Sequence, residues 1–147
     1  MILPHEVEIL LVEDSAHDEE LTLRALKERN IANQVFVARD GAEALDIFFG
    51  DGSHPWHEIG IVPRVVLLDL NLPKVDGLEV LRRLKADERT RALPVIVLTA
   101  SREEPDIAAA YRLGAKSYIV KPVDFESFAR AVSDVGLYWV LLNELPR

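Results

Sequence analysis

Five short apolar segments constrain the fold more than any other feature of this chain. They are rich in β-branched residues and have the length of strands: EILLV, QVFVA, RVVLLDL, PVIVLTA and SYIV. The third is the clearest, because Val65–Leu68 are apolar at every position, as in a strand covered on both faces. Longer segments with helical periodicity separate the five. This strict alternation predicts an α/β domain with a parallel sheet, right-handed crossovers and five elements of each kind.

Two of the predicted helices begin with capping signals. Ser15 precedes the first, and Asp40 with Glu43 has the spacing of a capping box before ALDIFF. Helical patterns also cover GLEVLRRLKAD, PDIAAAYRLG and DFESFARAVSDVGLYWVLL. The one long connection is Gly50–Pro63, and its two histidines are too few for a zinc site, which needs three or four ligands.

Length, charge and composition exclude several classes of function. The 147 residues predict one domain, 1–147, with a single core. A net charge of -8 would repel nucleic acid phosphates, so we expect no nucleic-acid partner. The absence of cysteine excludes disulfides, thiolate metal sites and cysteine nucleophiles. No apolar segment approaches the ~18 residues of a membrane span, and the amino terminus lacks the basic segment of a signal peptide. We therefore expect no membrane partner and a cytoplasmic location.

Polar residues stand at the ends of four predicted strands. They are Glu13 and Asp14 after the first, Asp69 at the end of the third, Thr99 at the end of the fourth and Lys121 after the fifth. Because parallel strands end at one edge of a sheet, these side chains are expected to converge in a crevice. An ionised Asp69 is also far less costly there than inside the sheet.

This set of residues predicts phosphoryl chemistry. Clustered carboxylates raise one another's pKa unless a cation is present, and ligands that are all oxygen favour Mg2+. Asp69 would act as the nucleophile and become an acyl phosphate. Lys121 and the Thr99 hydroxyl would receive the phosphoryl oxygens, so that catalysis is mainly positioning and charge neutralisation.

Four motifs resemble the receiver domain of two-component response regulators. They are VED at 12–14, LLDLNLPKVDG around Asp69, VLTA around Thr99 and YIVKP at 118–122, and the match covers about residues 7–136. The resemblance implies a flavodoxin-like, doubly wound sheet in strand order 2-1-3-4-5, flanked by five helices. It also implies that Asp69 accepts a phosphoryl group from a sensor histidine kinase. The chain would then be a signalling protein and not an enzyme, beyond self-phosphorylation from phosphodonors and autodephosphorylation.

The resemblance also assigns the metal and phosphoryl ligands. Mg2+ is expected at Asp14, Asp69 and the backbone carbonyl of Asn71, with Glu13 holding the metal through water. The backbone of Asn71 and of Ala100 is expected to meet the phosphoryl group.

A conformational switch is implied at Thr99 and Tyr118. In the resembling family the Thr99 hydroxyl moves toward the phosphoryl group, and the aromatic residue matching Tyr118 turns inward. This movement reshapes the face of the fourth helix, fifth strand and fifth helix. A half-buried edge aromatic is the alternative interpretation of Tyr118. The peptide bond between Lys121 and Pro122 is expected to be cis.

The segment 137–147 is apolar and aromatic, with Tyr138, Trp139 and Leu142 as candidate interface residues. It extends the last helix against its own domain or forms a partner surface. Since it is too short for an output domain, we expect output through a downstream protein, a histidine phosphotransfer domain or sequestration of phosphoryl groups. The chain is similar to single-domain regulators paired with bacterial phytochrome kinases, which implies a phytochrome-type partner and a homodimer.

Three other classes of function fit the sequence less well than the receiver. A hydrolase of the haloacid dehalogenase type would need an acid where Asn71 stands. A receiver-like binding module that is not phosphorylated would predict a broken crevice. A nucleotide site would need a glycine-rich loop after a strand.

Overall fold

The fold is described by a computed structural model for residues 9–28, 35–50, 63–100, 105–134 and 136. Within these ranges strands and helices alternate as expected: β1 Ile9–Val12, α1 Ala16–Lys27, β2 Val35–Ala38, α2 Gly41–Phe49, β3 Val65–Asp69, α3 Gly77–Ala86, β4 Val95–Thr99, α4 Pro105–Leu113, β5 Ser117–Val120 and α5 Phe125–Asp134. All neighbouring strands are parallel, in the order β2-β1-β3-β4-β5. The predicted flavodoxin-like architecture is therefore confirmed.

Helices cover both faces of the sheet and bury the central strands completely. Residues of α2, α3 and α4 pack on one face, and residues of α1 and α5 pack on the other. Leu68 belongs to the first layer of the core and Leu67 to the second, because successive strand side chains point to opposite faces. This two-sided burial explains why Val65–Leu68 has no polar position.

Helix caps set where two helices begin beside the sheet. Ser15 Oγ accepts a hydrogen bond from the Asp18 amide at 3.1 Å, which confirms the predicted cap of α1. Asp40 Oδ1 accepts from the Glu43 amide at 2.7 Å. The reciprocal bond of the capping box is shifted by one residue, since Glu43 Oε1 accepts from the Arg39 amide. The Ser15 cap fixes the first turn of α1 directly after β1.

A cap at the start of α5 gives a stability prediction. Asp124 Oδ1 accepts from the Ser127 amide at 2.7 Å, and the backbone and side-chain hydrogen bonds of Ser127 lower the pKa of Asp124. Asp124→Ala should lower the free energy of unfolding by about 1 kcal/mol, as measured by urea denaturation. Asp124→Asn keeps an oxygen acceptor and should lose less.

The same cap should depend on pH with a defined sign. Because the folded pKa of Asp124 lies below the unfolded one, its ionised form stabilises the fold fully above the unfolded pKa. This contribution is lost as the pH falls through the folded pKa. The stability difference between wild type and Asp124→Asn should therefore shrink in acid, and a difference that grows in acid would contradict this account.

Some of the residues for which the sequence makes predictions lie outside the described residues. The described part of the last helix ends at Asp134, so the expected continuation through 142 and the candidate interface at Tyr138, Trp139 and Leu142 stay predictions. Most of the connection 50–63 is likewise outside. Among the described residues, no helix combines the length and the apolar character that crossing a bilayer requires.

Candidate functional site

The expected convergence of strand ends is present at the carboxyl edge of the sheet. Val12 is paired with Leu68 across β1 and β3, and Asp69 is paired with Leu98 across β3 and β4. Thr99 is paired in turn with the last residue of β5. The residues that end or follow these strands therefore form one row along the sheet edge.

Three carboxylates form the acidic part of the crevice. Oxygen atoms of Glu13, Asp14 and Asp69 all lie within 4.8 Å of one another. Glu13 and Asp69 are buried, whereas Asp14 is exposed, so the cluster is open to solvent on the Asp14 side. Oxygen ligands at this spacing suit a divalent cation.

The ammonium group of Lys121 faces this cluster. Its Nζ lies 2.9 Å from Asp69 Oδ2, 2.9 Å from Asp18 Oδ2 and 3.1 Å from Glu13 Oε1. Burial alone would lower the pKa of Lys121, but the hydrogen bonds to Asp18 and Asp69 outweigh it and raise the pKa above its usual value. The ammonium group therefore stays charged. The peptide bond to Pro122 is cis, as the resemblance implied.

Glu13 is the carboxylate that is least well compensated. The pKa of Glu13 is raised to about 7, mainly by burial and further by the hydrogen bond and charge of Asp69, while Lys121 opposes the rise. Its buried Oε1 receives no hydrogen bond from the residues that the structure describes, despite the nearby ammonium group. A buried oxygen of this kind is costly unless another positive group satisfies it. The spacing of the carboxylates and the unsatisfied Glu13 oxygen therefore fit a metal ion.

The Asp69 carboxylate is held from two sides. The Asn71 amide donates to Oδ1 at 3.1 Å, and Lys121 Nζ donates to Oδ2 at 2.9 Å. The loop after β3 is fixed in turn by the start of α3, because the Gly77 amide donates to the Leu70 carbonyl at 3.0 Å. The carboxylate thus has a defined orientation at the mouth of the crevice.

The predicted switch residues lie at the end of β4 and within β5. Thr99 is buried at the end of β4, and its carbonyl accepts from the Lys121 amide at 2.8 Å. Tyr118 is half-buried and packs edge-on against Tyr111, with 6.2 Å between ring centroids. Ala100, directly after β4, is exposed. The roles that the resemblance implies for Thr99, Tyr118 and Ala100 stay predictions.

Asp18 is a site residue that the sequence analysis missed. It lies in the first turn of α1. An acidic residue at this position is normally explained by its favourable interaction with the helix dipole. Its carboxylate instead reaches Lys121, which is 103 residues away in the sequence. Nothing in the local pattern around Ser15 distinguishes a dipole partner from a site residue.

Comparison with known proteins assigns the family. Residues 9–133 match the response regulator receiver domain. The chain belongs to this family. The receiver is 50% identical to the bacteriophytochrome response regulator AtBRR, whose structure it matches with a TM-score of 0.81 over 98% of this chain and 100% of that one.

Two further relatives extend the comparison. The receiver is 43% identical over 140 residues to the probable methanogenesis regulatory protein FilR2 of Methanothrix harundinacea (strain 6Ac), covering 94% of this chain and 86% of that protein. It is 36% identical over 138 residues to the response regulator Rcp1 of Synechocystis sp. (strain ATCC 27184 / PCC 6803 / Kazusa), covering 94% and 92%. The solved Mn2+-bound form of Rcp1 matches with a TM-score of 0.71 over 95% of this chain and 98% of that one.

The family assignment has direct consequences for the alternatives. Receivers of two-component systems pair with histidine kinases, and members such as Rcp1 bind a divalent metal. The expectation of a receiver is confirmed, and the haloacid dehalogenase alternative is removed. The intact row of Glu13, Asp14, Asp69 and Lys121 is the opposite of the broken crevice expected for a module that is not phosphorylated.

Proposed function

We propose that this receiver accepts a phosphoryl group on Asp69 from a histidine kinase and uses Mg2+ as its cofactor. The observation that carries the proposal is the Asp69 carboxylate at the end of β3. It is oriented by the Asn71 amide and by Lys121, and it lies beside the carboxylates of Glu13 and Asp14. A nucleophile, a cation and a set of oxygen ligands are therefore assembled in one open crevice.

The proposed reaction transfers the phosphoryl group from nitrogen to oxygen. An Asp69 carboxylate oxygen attacks the phosphorus of the kinase phosphohistidine, and the P–N bond breaks with its electron pair going to the imidazole nitrogen. The product on Asp69 is an acyl phosphate, which later hydrolysis returns to the carboxylate. Lys121 and the backbone N–H of Ala100 stabilise the phosphoryl oxygens, so the protein contributes positioning and charge neutralisation.

The metal would be held by Asp14, Asp69 and the backbone carbonyl of Asn71, with Glu13 acting through water. Bound Mg2+ would neutralise charge on the phosphoryl oxygens. The donor set and the unsatisfied buried oxygen of Glu13 support this site. We favour Mg2+ because it is held by one or two carboxylates while it keeps several waters and takes phosphoryl oxygens.

Asp14→Asn should weaken Mg2+ binding at least about tenfold, because one formal negative charge leaves the ligand set. A calorimetric titration of wild type and variant measures this directly. Glu20→Gln is the matched control, since it removes the same charge from an exposed site on α1, where Glu20 pairs with Arg24. Equal Mg2+ affinity in wild type and Asp14→Asn would exclude Asp14 as a ligand.

Output is proposed to pass through the face formed by α4, β5 and α5. A cleft of about 200 Å³ opens there, and its lining includes Tyr111, Tyr118, Arg130 and Asp134. The half-buried Tyr118 ring therefore has space beside it into which the ring or a partner side chain can move. On phosphorylation, Thr99 would shift toward the phosphoryl group and Tyr118 would turn inward. The face would then bind a downstream protein or a histidine phosphotransfer domain.

The proposed partner kinase is of the bacterial phytochrome type. The similarity to AtBRR, a bacteriophytochrome response regulator, supports this pairing. We further propose a single-domain signalling protein, 1–147, that is cytoplasmic and homodimeric and has no activity beyond self-phosphorylation and autodephosphorylation. The homodimer is supported by the surplus of apolar residues in 137–147.

Truncation after Gly136 should weaken self-association at least about tenfold, because aromatic anchors commonly dominate interface energetics. Sedimentation velocity over a concentration series measures the change. Trp139→Ala removes one aromatic side chain from the 147-residue chain. It therefore separates the loss of an interface contact from other effects of shortening the chain. An unaltered sedimentation profile in both variants would instead support the alternative in which the segment packs on its own domain.

Chemical trapping tests the proposed acceptor. The receiver is incubated with phosphoramidate and Mg2+ and then reduced with borohydride, which converts an acyl phosphate to an alcohol. Peptide mass spectrometry should locate the reduced residue at Asp69. Reduction at Asp14 instead would contradict the assignment.

A further inference from the structure

We propose that Asp18 is a positioning residue that restrains Lys121 and thereby slows phosphorylation of the receiver. The inference rests on the proposed function, in which Asp69 is the acceptor and Lys121 contacts the phosphoryl group. It adds a residue outside the strand ends that sets how readily Lys121 becomes available.

Lys121 can make only a limited number of hydrogen bonds. An ammonium group has three N–H donors and no acceptor. Carboxylate oxygens of Asp18 and Asp69 lie 2.9 Å from Nζ, and Glu13 Oε2 lies 3.3 Å away. All three donors thus have a carboxylate partner. A phosphoryl oxygen can be received only when one of these partners is released.

Asp18 is the partner that is released at the lowest cost. Its side chain is 33% exposed, compared with 0% for Glu13 and 5% for Asp69. Water can replace the lost contact at Asp18, whereas a buried carboxylate that loses its cation pays a large desolvation cost. Asp18 is also carried by α1 and not by a strand end. Its release therefore leaves the Asp69 and Glu13 contacts in place.

Asp18→Asn should accelerate phosphorylation. The substitution keeps the shape of the side chain but removes its charge, and Lys121 is still positioned by Glu13 and Asp69. We expect the rate with phosphoramidate and Mg2+ to rise about threefold to tenfold, the range for losing a partly exposed charge-assisted contact.

The test compares initial phosphorylation rates of wild type, Asp18→Asn and Glu20→Gln, with Asp69→Asn as the blank. Glu20→Gln removes the same charge from the same helix but from a side chain that pairs with Arg24. It should stay within about twofold of wild type, since long-range effects of exposed charges are screened. A rate increase confined to Asp18→Asn supports the restraint. Unchanged or slower phosphorylation in Asp18→Asn overturns it.

A double-mutant cycle shows whether Asp18 acts through Lys121. In the Lys121→Met background, Asp18→Asn should no longer accelerate the reaction, because the group that it restrains is gone. An equal acceleration in both backgrounds would overturn the proposed route. The proposed function is tested separately by wild type itself: a folded wild type that takes no phosphoryl group would overturn the assignment of Asp69 and this inference with it.

Discussion

Lys121→Met is expected to slow phosphorylation of Asp69 by about 10²- to 10³-fold, the usual cost of removing one positioned donor from a developing negative charge. Lys121 Nζ lies 2.9 Å from the Asp69 carboxylate and is the cation that faces the cluster. Methionine keeps much of the length and the apolar contacts of the side chain but supplies no charge. Rates with phosphoramidate and Mg2+ measure the loss.

The same substitution should uncover the repulsion within the crevice. Without the ammonium group, the buried carboxylates of Glu13 and Asp69 face each other uncompensated. We expect the free energy of unfolding, measured without divalent metal, to fall by about 3 kcal/mol. Added Mg2+ should recover more stability in Lys121→Met than in wild type, because a bound cation replaces the missing charge.

Lys116→Met is the control for both effects. Lys116 is exposed next to β5, so the variant removes the same charge at a distance from the crevice. It should leave the phosphorylation rate and the response to Mg2+ close to wild type. A Lys121→Met variant that phosphorylates as fast as Lys116→Met would show that Lys121 is not a phosphoryl ligand.

Gly77→Ala is expected to cost at least about 3 kcal/mol of stability, at the upper end for inserting one methyl group into packed backbone. A Cβ at Gly77 would lie 2.4 Å from the Asp69 carbonyl oxygen and 2.6 Å from Leu70 Cα. Both are backbone atoms of the segment that carries Asp69, the proposed acceptor. The strand end and the start of α3 must therefore separate, which also predicts slower phosphorylation of the molecules that remain folded.

Gly136→Ala is the control for Gly77→Ala, because it measures the cost of an unfavourable backbone conformation without a steric clash. Gly136 has a φ of 80°, and a Cβ there would meet no described atom within 4 Å. The expected cost is about 1 to 2 kcal/mol from the left-handed conformation alone. Urea denaturation measures both variants. If Gly77→Ala cost no more than Gly136→Ala, the close approach of α3 to β3 would not be a constraint on the fold.

The fold was predictable because the burial of its strands leaves an apolar pattern in the sequence. A strand that is covered on both faces, such as Val65–Leu68, has no polar position. Five short strands of mainly apolar residues, separated by helices, leave few arrangements other than a doubly wound sheet. The start of α1 directly after its cap Ser15 was equally predictable, because the cap is a local hydrogen bond. The exact partner of Glu43 was not, since it depends on how β2 turns into α2.

The row of site residues was predictable for the same reason. Glu13, Asp69 and Lys121 each follow or end an apolar strand, and the parallel topology alone brings them to one edge. Their relative burial was not predictable. Glu13 is completely buried while the neighbouring Asp14 is exposed, although both directly follow β1.

Contacts between helices and the sheet edge lay beyond the sequence analysis. Asp18 satisfies the helix-dipole preference in any orientation of α1, so its contact with Lys121 follows only from tertiary packing. The edge-on contact between Tyr111 and Tyr118 likewise depends on how α4 lies against β5.

Intact-mass spectrometry of wild type and Asp69→Asn after incubation with phosphoramidate tests the central claim most directly. Parallel samples contain Mg2+ or a chelator. The account predicts one labile phosphoryl adduct on wild type that requires Mg2+, and no adduct on Asp69→Asn. Equal adducts on both proteins, or none on folded wild type in the presence of Mg2+, would contradict the assignment of Asp69 as the phosphoacceptor.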